Sequence, residues 1–139
     1  MSKNLIITTE TKNWDKIYAF ITNYFEKSNL SKKNIFAIVI SSEEIFSNIL
    51  HHSCATTDDK IIISADCNPV ENMASVVFKY GGIEFNPLKT DLPDVRTPPN
   101  ERKLGGLGLL IVKNFTDDIA YTYLEGKNIL KISKKIIDF

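Results

Sequence analysis

Glu44, Asn48 and His52 fall at steps of four through the apolar segment Ser42 to His52, SEEIFSNILHH. Four residues turn an α-helix by about 400°, so the three polar side chains form one stripe, with Ile45, Ile49 and the preceding run Ile35 to Ile40 on the adjoining face. A carboxylate and a carboxamide half sunk beside a core are costly unless something satisfies them. A Mg²⁺ ion held by the Asn48 oxygen and a nucleophile hydrogen-bonded to Glu44 are satisfying partners, because a hard cation takes oxygen ligands and a carboxylate can draw a proton from a hydroxyl. A stripe facing solvent accounts for the same spacing with no chemistry at all.

A second cluster lies in LGGLGLLIVKNF, where Gly105, Gly106 and Gly108 run straight into a helix-like apolar segment, Leu109 to Phe115. Glycines let the backbone approach a ligand closely, and the start of a helix offers free amides and the positive end of its dipole, so the arrangement suits an anion. Glycines also serve tight turns that bind nothing. Between Gly81-Gly82 and Gly105-Gly106 lie four of the five prolines and little periodicity. A structureless stretch of that length reads as a lid over a ligand, or else as a disordered insertion.

The elements that must position these residues are legible from periodicity. Asn4 to Thr9 reads as a strand, placed on an edge. From Trp14, the spacing of Ile17, Phe20, Ile21, Tyr24 and Phe25 predicts an amphipathic helix that ends near Ser28-Asn29. Ser31 is a cap for a longer second helix that runs to His52 and carries the polar stripe. Residues 53–59 are a small, polar connection. Lys60 to Asp66 and Ala74 to Tyr80 are β-rich runs expected to pair antiparallel, and Asp118 to Tyr123 and Asn128 to Ser133 form a hairpin about Glu125-Gly126. The C-terminal strand is expected to close the sheet. The order predicts a single domain over residues 1–139, an α/β two-layer sandwich with a mixed, mostly antiparallel sheet and helices on one face.

Composition narrows the function classes. Hydrophobic residues make up 43% and charged residues 24%, a soluble globular balance. Seventeen basic residues offset seventeen acidic ones, so no direct nucleic-acid partner and no anionic membrane is expected. The N-terminal apolar run is far short of a signal peptide and no segment is long enough to span a bilayer, which makes the cytoplasm the expected location. Cys54 and Cys67 are isolated and read as buried free thiols rather than a disulfide or zinc site. Adjacent His51 and His52 point about 100° apart on a helix and lack further ligands, which argues against zinc.

Glu44-x-x-x-Asn48 with His52 resembles the N-box of the GHKL, or Bergerat-type, ATPase superfamily, and the run Arg102-Lys-Leu-Gly-Gly-Leu-Gly108 resembles its second glycine box. Spacing and length are most similar to the anti-sigma-factor serine/threonine kinases of bacterial partner-switching systems, over nearly the whole chain. The resemblance implies a Bergerat-type ATP-binding fold with ATP and Mg²⁺ as cofactors. It implies nucleotide contacts from Asn48, His52, Tyr80, Gly82, Phe85, Arg102, Gly105, Gly106, Leu107, Gly108 and Leu109, with Asn48 holding Mg²⁺ and Glu44 as the catalytic base. The implied partners are a sigma factor and a protein antagonist that becomes phosphorylated on serine, and the family typically works as a homodimer.

One departure stands out. The first glycine box usually carries an Asp two residues before a Gly, where it accepts a hydrogen bond from the adenine amino group. Gly82, Phe85 and Pro87 fit that box here, but Tyr80 stands where the Asp belongs. Losing one hydrogen bond to a buried polar edge costs about 1 to 3 kcal/mol. A second reading follows, a regulator of the same fold that binds proteins without using nucleotide. The catalytic domain of a sensor histidine kinase is a third, and it would need a phospho-accepting helical hairpin from a separate protein.

Overall fold

The computed structural model describes residues 2–52, 60–86 and 106–136. The elements in order are β1 (Lys3–Thr8), a 3₁₀ turn (Thr11–Asn13), α1 (Trp14–Lys27), α2 (Lys32–His52), β2 (Lys60–Asn68), β3 (Met73–Tyr80), α3 (Gly106–Phe115), β4 (Asp118–Leu124) and β5 (Lys127–Lys135). Residues 53–59, which include Cys54, and the expected lid over 87–105, which includes Arg102 and Gly105, lie outside the described residues.

Short-range chemistry sets the element ends. The Ser31 hydroxyl accepts the Asn34 amide at 3.1 Å and caps α2 as its position predicts. After α1, Asn29 takes a φ of 64°, and the Leu30 amide reaches back to the Phe25 carbonyl at 3.1 Å. That closes the helix with an asparagine in the left-handed position usually given to glycine. Between β2 and β3 the Asn68 side chain accepts the amides of Val70 and Glu71 at 3.0 and 3.2 Å. Glu125 and Gly126 have φ of 52° and 77°, the two positive values that a tight two-residue hairpin turn requires.

The five strands form one sheet in the order β1-β2-β3-β5-β4, antiparallel at each of the four pairings. β1 is an edge, as expected. The C-terminal strand does not close the sheet: β5 lies between β3 and β4, and β4 is the other edge. The reason is in the side chains. β5 buries Asn128, Leu130 and Ile132, whereas five of the seven residues of β4 are exposed, at Asp118, Ala120, Thr122, Tyr123 and Leu124. Apolar alternation therefore carries β5 into the middle of the sheet.

Register aligns the core in rows across the strands. Ile61, Tyr80 and Asn128 form one row, and Ile63, Phe78 and Leu130 the next. The apolar side chains of these rows join Ile17, Ile21 and Phe25 of α1 and Ile38, Ile45 and Ile49 of α2 in a single core. Each such apolar side chain contributes about 1.5 to 3 kcal/mol on burial. α3 packs along α2, where Phe115 meets Phe36 edge to face with ring centroids 6.2 Å apart.

Candidate functional site

The polar stripe of α2 sits where the helix turns from core toward solvent. Asn48 is only 9% exposed, and Glu44, one turn earlier, is half-buried. Among the described residues neither side chain has a hydrogen-bond or ion-pair partner. Loss of solvent, helped by the neighbouring Glu43 carboxylate, pushes the Glu44 carboxyl above the usual carboxylate range. The stripe is therefore no ordinary solvated face, because burial has taken part of the water from both groups and no described residue replaces it. His51 is turned away from this work: its Nδ1 lies 2.7 Å from the Ser47 carbonyl of its own helix. The side chain of His52 lies outside the described part.

α3 begins at Gly106 rather than at Leu109, so Gly106 and Gly108 belong to its first turn. A first turn leaves its backbone amides without partners inside the helix, which suits a phosphate. The helix that bears these amides packs against the helix that bears Glu44 and Asn48. The side chains of Leu107 and Leu109 are outside the described part.

At the end of β3 the chain leaves the sheet through Gly81 to Asn86. Gly82 has a φ of 85°, which only glycine adopts without strain, and its surroundings are open to solvent. Tyr80 faces the helices and is 1% exposed, with its hydroxyl donating to the Phe85 carbonyl at 3.4 Å. A phenol ring thus fills the core position where the resemblance calls for a carboxylate.

Directly across the sheet from Tyr80 stands Asn128, a residue that the sequence reading missed. It is fully buried. Its Nδ2 donates toward the carbonyls of Tyr80, Gly81 and Ile83 at 3.4, 3.2 and 3.1 Å. Its Oδ1 accepts the Phe85 amide at 2.9 Å and the Tyr121 hydroxyl of β4. The signal was present in the sequence: an asparagine, a poor strand former, occupies an inward position of an otherwise apolar alternation immediately after a hairpin turn.

Among the described residues no three His, Cys, Asp or Glu side chains converge as a metal cage. Mg²⁺ does not require one, since it commonly keeps waters and takes one or two protein oxygens together with substrate phosphates. The donor set here, one carboxamide beside one carboxylate, both without a partner among the described residues, fits that role. A cavity of about 470 Å³ lined by Lys3, Phe20, Tyr24, Lys27 and Cys67 lies at the opposite end of the sheet and holds none of these residues. Cys67 itself is a free thiol, half-buried rather than buried.

The chain belongs to the histidine kinase-like ATPase domain family, whose pattern matches residues 7–134. Its fold is similar to that of the RsbU and RsbW domains of Rv1364c from Mycobacterium tuberculosis, with a TM-score of 0.70 and 11% identity over 98% of this chain and 32% of that one. It is also similar to the blue-light activated histidine kinase of Erythrobacter litoralis, with a TM-score of 0.57 and 18% identity over 77% of this chain and 32% of that one. The chain thus spans about a third of the length of either structure, and at these identities the likeness is one of fold. No curated protein matches the chain. Among the described residues no helix is long and apolar enough to cross a membrane.

Proposed function

We propose that the protein is an ATP-binding anti-sigma regulator that phosphorylates a serine or threonine of its protein antagonist in a bacterial, cytoplasmic partner-switching system. The observation that carries this reading is the pair Glu44 and Asn48, a half-buried carboxylate and a buried carboxamide on one helical stripe with no partner among the described residues. Bound Mg²⁺-ATP supplies the phosphoryl group and the ion that neutralises its charge as it moves. Asn48 offers its carboxamide oxygen to the ion. Glu44 accepts the proton of the attacking hydroxyl, and the low polarity that raises its pKa also makes it a stronger base for that transfer. The amides of the first turn of α3, with Arg102 and Gly105 before it, cradle the phosphates.

The Tyr80 ring supports a second reading. With a buried phenol where a carboxylate would receive adenine, the same fold can serve as a regulator that binds a sigma factor and its antagonist, alone or as a homodimer, without nucleotide. Calorimetry with ATP, with and without Mg²⁺, followed by radiolabel transfer to a candidate antagonist, separates the two. Saturable Mg²⁺-dependent heat and label on the antagonist are expected. Absence of both would favour the nucleotide-independent regulator.

A further inference from the structure

We infer that Asn128 is the positioning residue of the loop Gly81 to Asn86, holding it in its ligand-ready shape through a single buried carboxamide. For nucleotide binding the inference rests on the function proposed above; for the loop itself it rests on geometry alone. Where β3 ends, the ladder that satisfied its backbone ends too, and buried carbonyls need donors from elsewhere. Asn128 supplies them. Its Nδ2 faces three carbonyls spread over Tyr80 to Ile83, and its Oδ1 receives the Phe85 amide, so one side chain meets four backbone groups of a six-residue stretch.

Three features argue for positioning rather than for contact with a ligand. Asn128 is fully buried, so it meets no ligand directly. Its inventory is filled: two N–H donors divided among three carbonyls, and an oxygen already accepting from Phe85 and Tyr121. The residues it organises include Gly82 and Phe85, which the resemblance assigns to the nucleotide. The Tyr121 hydroxyl ties the same oxygen to the edge strand β4, so the loop is anchored across three strands.

The chemistry is specific to a carboxamide. A carboxylate of the same size keeps the acceptor and loses both donors, leaving three carbonyls facing a negative charge. Protonation restores one donor. Asn128→Asp should therefore be a variant whose defect shrinks as pH falls, because burial beside carbonyls raises the new carboxyl above its ordinary value and the acid form prevails below that.

The test compares the full chain with Asn128→Asp and Tyr121→Phe, measuring hydrogen exchange of the 81–86 amides and binding of Mg²⁺ with adenylyl imidodiphosphate between pH 5.5 and 8. In Asn128→Asp the loop amides should exchange at least tenfold faster at pH 8, and affinity should fall at least tenfold, with both differences from the parent narrowing toward pH 5.5. Tyr121→Phe, which removes one outer contact and keeps the fold if Asn128→Asp does not, should speed loop exchange and weaken affinity two- to fivefold at every pH, since it adds no group that titrates in this range. Loop exchange and affinity within twofold of the parent in both variants would overturn the inference. Faster loop exchange in a protein whose parent binds no nucleotide would support the positioning role and overturn the nucleotide reading instead.

Discussion

Tyr80 and Asn128 face each other across β3 and β5 and grip one residue from both sides: the phenol donates to the Phe85 carbonyl, and the carboxamide oxygen receives the Phe85 amide. The tyrosine is therefore part of the scaffold of the loop as well as a departure from the expected carboxylate.

This pairing sets the outcome of substitutions at Tyr80. Tyr80→Phe keeps the ring and loses the bond to Phe85, which should lower stability by about 1 kcal/mol in urea denaturation. Tyr80→Asp, which the resemblance alone would favour as a restored adenine acceptor, buries a carboxylate and empties the volume of a ring. It should cost about 3 kcal/mol or more. A Tyr80→Asp protein as stable as the parent would show that the ring is not a core element.

Asn48→Ala should abolish the Mg²⁺-dependent part of nucleotide binding while leaving the melting temperature almost unchanged, because no described group loses a partner when the carboxamide goes. Equal ATP affinity in mutant and parent, measured by calorimetry, would remove the metal assignment.

At Glu44 the pH dependence follows from the raised pKa. A carboxyl that ionises less readily folded than unfolded binds more protons in the native state, so it lowers stability as pH rises from its ordinary value of 4.5 through the higher folded value. Glu44→Gln should therefore melt higher than the parent at pH 7.5, with the gap closing toward pH 4. The same variant should bind ATP normally and lose phosphoryl transfer by about 10²- to 10⁴-fold. A constant melting difference across pH would contradict the burial effect, and parental transfer would contradict the base.

Ser42 is fully buried in α2, and its hydroxyl has no hydrogen-bond partner among the described residues. Removing an unsatisfied hydroxyl relieves its desolvation and gains helix propensity, so Ser42→Ala should be stabilised by about 1 kcal/mol, roughly 4 °C in calorimetric melting. A lower melting temperature would mean that the hydroxyl is satisfied in solution.

Much of the architecture was legible because it rests on periodicity. The spacing of Ile17, Ile21, Tyr24 and Phe25 yields α1, the Ser31 cap opens α2, and Glu125-Gly126 turns the final hairpin where expected. Strand order was not legible in the same way, since antiparallel hairpins specify neighbours in sequence and not which strand enters the middle. The α2 stripe could be read because a helix repeats every 3.6 residues. The Asn128 hub could not, because it joins backbone atoms 43 to 48 residues away and depends on a register that no local pattern reports.

The place of β5 also bears on how the chain comes off the ribosome. β3 and β4 have no contact in the sheet until β5, which follows both in sequence, slides between them. A nascent chain that has emerged only through β4 therefore holds one finished half, β1 to β3 with α1 and α2, beside a strand with nothing to pair with. The 81–86 loop stays unclamped over the same interval, since Asn128 arrives with β5. Any activity that depends on the loop begins only once β5 is in place, so a product stalled before β5 would be silent rather than partly active.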